Sequence, residues 1–174
     1  GMAGILDSSR FKYFLSQELN IPSKNINTIV LGGHGDSMVP MPNHTTAKDK
    51  PIKQIIKKEK LDLIVERTRK GGAEIVKFLK KGSAFYAPAA SGVEMAESYI
   101  KDLKKTLPCA AYLNGEYGIK NTYAGVPVII GNGGVEKIIE LNLSGEEKIN
   151  FDLSIKAVTN LYKAAVKIDK DLAN

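Results

Sequence analysis

The chain carries two kinds of hydrophobic pattern, one with a helical period and one with a strand's. Phe11, Phe14, Leu15 and Leu19 recur every three or four residues and predict a helix over 8–19, with Asp7 or Ser8 placed to cap it and Ile21-Pro22 to end it. A longer stripe, Leu61, Ile64, Val65, Thr68, Gly72, Ile75, Val76 and Leu79, predicts an amphipathic helix over 61–80. Gly71-Gly72 in its middle predicts a kink or a close packing contact. Residues 83–91 read as irregular. Ser91 and Glu94 then have the spacing of a capping box, ahead of a helix whose buried side is expected to be Val93, Ala96, Ile100 and Leu103. Ser144 and Glu147 repeat that spacing before the longest helix, expected over 145–171, where Ile149, Leu153, Ala157, Leu161, Ala165, Ile168 and Leu172 form the stripe.

Strand-like runs fill the gaps between helices. They cover 27–32, 106–113, 126–130 and, with alternation at Val135, Ile139, Leu141 and Leu143, 135–143. Gly131-Asn132-Gly133-Gly134 joins two of them and reads as a hairpin, because the residues behind it keep a strand's period. A phosphate cradle at that position should instead open a helix. Pro40 and Pro42 predict an extended loop. Strands that pair antiparallel between long helices give an α+β fold, an antiparallel sheet packed with helices in a single domain over 1–174, rather than an alternating βαβ series.

Composition narrows the function classes. With 174 residues, 43% hydrophobic and 25% charged, the chain is long enough for one core and has the balance of a globular protein. No apolar run reaches membrane-spanning length, and no basic-then-apolar leader opens the chain. The single cysteine, Cys109, suits a reducing compartment, so a cytoplasmic location is expected. The net charge of +6 comes from lysine, since only Arg10, Arg67 and Arg69 are arginines. Lys53 to Lys60 is dense in lysine but lacks interleaved aromatics; it reads as a solvated helix face, and no nucleic-acid partner is expected.

The residues able to do chemistry are few. The histidines are His34 and His44. His34 lies between Gly33 and Gly35 just past a strand, where a sharp turn leaves a side chain accessible. Asp7 and Arg10, spaced i and i+3, share one helix face, either as a cap with a local ion pair or as an acid–base and anion-binding pair facing a cleft. Cys109 follows Pro108 in an apolar strand, with no basic neighbour to activate it. Neither a metal-ligand cluster nor a G-x-S-x-G elbow, a P-loop or a G-x-G-x-x-G turn occurs.

Four stretches together are more specific than any alone. Gly4-Ile5-Leu6-Asp7-Ser8-Ser9-Arg10-Phe11 followed by Leu31-Gly32-Gly33-His34-Gly35-Asp36-Ser37 resembles the lactate/malate dehydrogenase family. The segments from Gly82 to Ser91 and from Leu107 to Gly118 are similar to malate dehydrogenases of its lactate-dehydrogenase-like bacterial branch. The resemblance covers essentially the whole chain. It implies the C-terminal, substrate-binding half of such an enzyme, without the Rossmann half that binds NAD and carries the specificity arginine. His34 matches the catalytic acid–base, and Asp7 the carboxylate that orients it. Arg10 matches the grip on the substrate carboxylate. Ala84 matches the wall facing the substrate side chain, while Pro88, like His34, lies near the nicotinamide ring. The implied cofactor is NAD, the substrate a small 2-hydroxy or 2-oxo dicarboxylate, and the full-length assembly a homo-dimer or homo-tetramer. Alternatives are a lactate or other 2-hydroxy acid dehydrogenase, an NAD- and metal-dependent glycosidase, and a non-enzymatic basic binding module.

Overall fold

The computed structural model describes residues 1–173. Helix α1 (Ala3–Leu19) starts earlier than the periodicity predicts and has no side-chain cap, so Asp7 and Ser8 lie inside it rather than at its start. The physical reason is packing: Ile5 and Leu6 are buried together with Asp7 and Ser8, and tertiary contact holds the first turn without a cap. Asn20, in the left-handed conformation, closes its C-terminal end. The predicted strand over 27–32 is broken into β1 (Ile26–Asn27) and β2 (Val30–Gly32). The proline loop is partly a strand, β3 (Met38–Pro40), followed by a 3-10 turn at Pro42–His44. Two short strands, β4 (Thr46–Ala47) and β5 (Lys50–Pro51), complete a small sheet of order β1-β4-β5. Residues 53–60 then cross a 3-10 turn and enter helix α2 (Lys58–Leu79), so their lysines do not form one helix face.

Helix α3 (Tyr86–Ile100) begins five residues before Ser91, and no capping box forms there. Ser91 is a buried mid-helix residue whose hydroxyl donates to the Ala87 carbonyl. The side of α3 expected to be buried is outward: Val93, Ala96, Ile100 and Leu103 are all exposed, whereas Ser91 and Ser98 face inward. Ser98 donates to the Ile130 carbonyl at 2.7 Å, so α3 rests on the sheet through hydrogen bonds as well as apolar contact.

The main sheet comprises β2, β3, β6 (Lys105–Asn114), β7 (Lys120–Gly131) and β8 (Gly134–Ile138), all antiparallel. One edge of β7 pairs with β6 along its length; the other takes β8 near Ile130 and β2 at Gly125. Gly131 pairs with Gly134, so Asn132-Gly133 turns a hairpin as predicted. β8 stops at Ile138, and the rest of the expected strand over 135–143 is irregular, with Ile138, Leu141 and Leu143 packed on the core.

Helix α4 (Gly145–Ile168) begins with the predicted capping box: Ser144 Oγ accepts from Glu147 N–H and the Glu147 carboxylate accepts from Ser144 N–H. Its buried register differs from the predicted stripe. Phe151, Ser154, Ile155 and Val158 turn inward, while Ile149, Leu153, Leu161 and Ile168 face solvent. The two stripes are two residues out of phase, on opposite faces, and periodicity cannot tell which one meets the sheet. Two apolar clusters result, one on the sheet under Phe151 and one between α1, β2 and α2 around Phe11 and Leu15.

Candidate active site

The second cluster fixes how α1 meets β2. Ser8 is buried in α1; its Oγ accepts from Val30 N–H at 3.0 Å, and its carbonyl accepts from the Thr28 hydroxyl at 2.8 Å. These bonds clamp the helix to the strand that leads into Gly32-Gly33-His34. The sequence around Ser8 suggests only a possible cap, because the partners that give it this role lie 20 and 22 residues away. Beyond the strand, His34 is extended, and a 3-10 turn (Gly35–Ser37) returns the chain to β3.

Three of the residues singled out in the sequence come together here. His34 Nδ1 donates to Asp7 Oδ2 at 2.8 Å across 27 residues of chain. Arg10 Nη1 lies 3.5 Å from Asp7 Oδ1. The Asp7 side chain is 1% exposed, Arg10 10% and His34 51%. A buried carboxylate therefore sits between an imidazole open to solvent and a nearly buried guanidinium. The hydrogen bond from His34 to Asp7 raises the His34 pKa above its ordinary value of 6.5; the Asp7 charge acts the same way, and burial and the Arg10 charge oppose it. With Nδ1 committed to Asp7, Nε2 is the ring nitrogen left for proton exchange.

Arg10 is held from the far side by α2. A side chain at Gly71 would begin 3.2 Å from Arg10 Cδ, and one at Gly72 would begin 3.5 Å from Nη1. Of the two readings of Gly71-Gly72, close packing is the one observed. Arg10 Nε is buried without a hydrogen-bond partner. A buried cation with unused donors is suited to an incoming carboxylate, which can take two parallel N–H bonds.

Ala84 and Pro88 are half-buried, in the loop before α3 and in its first turn. Helix α3 packs against α1, and the hydrogen bonds and ion pairs of the Asp7–His34–Arg10 cluster involve neither Ala84 nor Pro88. His44 is elsewhere, its Nε2 4.0 Å from Glu147 Oε2 at the start of α4. Burial pushes the Cys109 thiol up to about 11, as befits an inert core residue. A cleft of about 470 Å³ lined by Val39, Ile56, Leu61, Arg69 and Glu147 contains none of the three clustered residues. The cluster is the candidate site, because there a histidine, a buried carboxylate and an arginine converge. Among the described residues no group of His, Cys, Asp or Glu is arranged for a metal ion, and no helix is long and apolar enough to cross a membrane.

A family model for the lactate/malate dehydrogenase alpha/beta C-terminal domain matches residues 5–168. The chain belongs to the lactate/malate dehydrogenase family. It is 62% identical to a malate dehydrogenase of Pelagibacter ubique over 99% of its own length and 56% of that protein's. The crystal structure of malate dehydrogenase from Salinibacter ruber superposes with a TM-score of 0.95, at 42% identity, over 98% of this chain and 56% of that one. A lactate dehydrogenase from Eimeria maxima, solved with NADH and oxamate, gives 0.94 at 42% identity over 98% and 55%. The chain thus spans a little over half the length of the relatives it matches.

A dinucleotide does not fit this chain by itself. Its pyrophosphate calls for a glycine turn that opens a helix. Among the described residues Gly131 to Gly134 closes a hairpin, and Gly32 to Gly35 leads only into a three-residue 3-10 turn. What the chain presents is a buried carboxylate between a solvent-open imidazole and a nearly buried guanidinium.

Proposed function

We propose that residues 1–174 form the substrate-binding and catalytic domain of an NAD-dependent malate dehydrogenase. The observation that carries this reading is the 2.8 Å bond from His34 Nδ1 to Asp7, with Arg10 beside the same carboxylate. The hydride carrier is a nicotinamide cofactor, held chiefly by residues outside this chain. Arg10 takes the C1 carboxylate of a 2-oxo or 2-hydroxy dicarboxylate, and its planar fork sets the acid's orientation. His34 holds the exchangeable proton at Nε2, gives it to the substrate's carbonyl oxygen during reduction, and recovers it during oxidation. Asp7 fixes the imidazole's tautomer and stabilises the imidazolium. Ala84 is a small wall residue toward the substrate side chain, and Pro88 lies toward the nicotinamide. The 62% identity to a malate dehydrogenase favours malate and oxaloacetate over lactate and pyruvate. The setting is the cytoplasm, in a homo-dimer or homo-tetramer, without nucleic-acid or membrane partners.

The test is a steady-state comparison of oxaloacetate with pyruvate in a complete enzyme carrying this chain. Oxaloacetate should be preferred, and His34→Asn should abolish turnover. A preference for pyruvate would replace the substrate reading with the lactate one. Undiminished turnover in His34→Asn would end the acid–base assignment.

A further inference from the structure

The turn that carries His34 is held from outside by a residue far along the chain. Ser154, in α4, is 4% exposed. Its hydroxyl accepts from Gly33 N–H at 2.8 Å and donates to the Ser37 carbonyl at 2.5 Å. Those two backbone groups flank His34, one just before it and one three residues after. Inside the turn, Ser37 Oγ donates to the His34 carbonyl at 3.2 Å.

The contact is also close. Gly32 has φ +82, and a Cβ there would lie 2.3 Å from Ser154 Oγ. A Cβ on Gly33 would meet Ser37 Oγ at 2.3 Å and Val158 Cγ2 at 3.2 Å. Ser154 and Val158 are one turn apart on α4, so the helix sits directly on the Gly32-Gly33 backbone. Gly32 gives way to the Ser154 hydroxyl, which uses both its donor and an acceptor site, and Gly33 gives way to Ser37 and Val158. No other polar side chain of α4's inward stripe, Phe151, Ser154, Ile155 and Val158, competes for the role.

We propose that Ser154 is a positioning residue for the reaction: its hydroxyl pins the Gly33–Ser37 turn to α4 and so sets where the His34 ring meets Asp7. Ser154 touches neither reactant; it acts through the backbone on either side of the histidine. The proposal rests on the reading of His34 as the proton carrier. It separates two functions that share the site, because Arg10 hangs from α1 and is braced by α2, with no link to Ser154.

The test compares Ser154→Ala, Ser154→Thr and Asp7→Asn. His34 and His44 are the only histidines, so each ring can be followed by NMR titration of this chain. The charges bearing on His34 are Asp7 and Arg10, both from α1. α2 brings Lys70 toward the neighbouring Asp36, and all of these are unchanged in the serine variants. In Ser154→Ala the His34 midpoint should fall toward that of Asp7→Asn, with His44 unmoved. In a complete enzyme turnover should drop about 10–100-fold, as for a misplacement of about 1 Å. In the direction of malate oxidation, which needs the neutral imidazole, the acidic limb of the pH profile should move to lower pH, and the dicarboxylate KM should stay within about twofold of the parent. Ser154→Thr, which keeps the hydroxyl, should recover most of the turnover. Should Ser154→Ala lose its fold, Ser154→Thr decides alone: a folded variant with the parent's His34 midpoint supports the hydroxyl's role, and one with a lowered midpoint overturns it. An unchanged midpoint and turnover in Ser154→Ala overturn the proposal while leaving the site intact. If Asp7→Asn also leaves both unchanged, the reading of the site itself has failed.

Discussion

Asp7 faces two cationic groups from inside the protein, and neither of its neighbours on the helix shares that load. Its Oδ2 accepts the hydrogen bond from His34 Nδ1–H, while Oδ1, 3.5 Å from Arg10, is buried without a hydrogen bond. Asp7→Asn keeps the shape and removes the charge. Turnover of a complete enzyme should fall by about three to four orders of magnitude, by analogy with other Asp–His pairs, and steady-state kinetics checks this. The same pair makes stability depend on pH. His34 has a raised pKa in the folded state, so it stabilises the fold fully below its unfolded value of about 6.5. That contribution is lost as pH rises through the higher folded-state value. Thermal melts of the chain across this window should show the decline, and His34→Gln should flatten it. Cys109 gives a contrasting residue: with its pKa pushed up to about 11, it should resist thiol reagents at pH 8 until the chain unfolds. Rapid labelling of the native protein would contradict its burial.

Two elements show how helix ends and helix crossings are specified. The capping box at Ser144 was legible because it depends on residues three apart. Ser144→Ala should cost about 1 kcal/mol in urea unfolding. The Ser91 and Glu94 pair has the same spacing and forms no box, because α3 begins five residues earlier, at Tyr86. Spacing proposes a cap, and the surrounding chain decides whether a helix starts there. In α2, Gly71 faces Arg10. An alanine in a helix interior ordinarily gains about 0.5–1 kcal/mol over glycine. Here its Cβ would begin 3.2 Å from Arg10 Cδ, so Gly71→Ala should forfeit that gain and raise the dicarboxylate KM. A stabilised variant with an unchanged KM would show that α2 can retreat freely.

At the scale of the whole molecule, the candidate site is built where α1 and α4 pack on β2 and α2 packs on α1 and on the turn that follows β2. On the proposed reading it supplies a proton and an anion grip, and the described residues hold no dinucleotide cradle. The chain alone should therefore show no measurable malate oxidation, since hydride donor and acceptor are not held at reacting distance. Activity in a contaminant-free preparation would refute that division of labour. The outward faces of the helices are unusually apolar: Phe78 on α2, Val93 and Ile100 on α3, and Leu161 and Ile168 on α4 are all exposed.

Local chemistry in the sequence determined much of this protein. Helical periods placed α1, α2 and α4 to within a few residues, and glycine chemistry placed the hairpin at Asn132-Gly133. The motifs around Asp7, Arg10 and His34 singled out three side chains that the fold brings together. Tertiary structure alone decided which side of an element turns inward. On α3 and α4 an apolar stripe faces solvent, because each helix carries more than one plausible face and only the sheet selects between them. It also decided the roles of Ser8, Gly71 and Ser154. Their partners lie 20 to 121 residues away or on another helix, and no short-range pattern records such a distance.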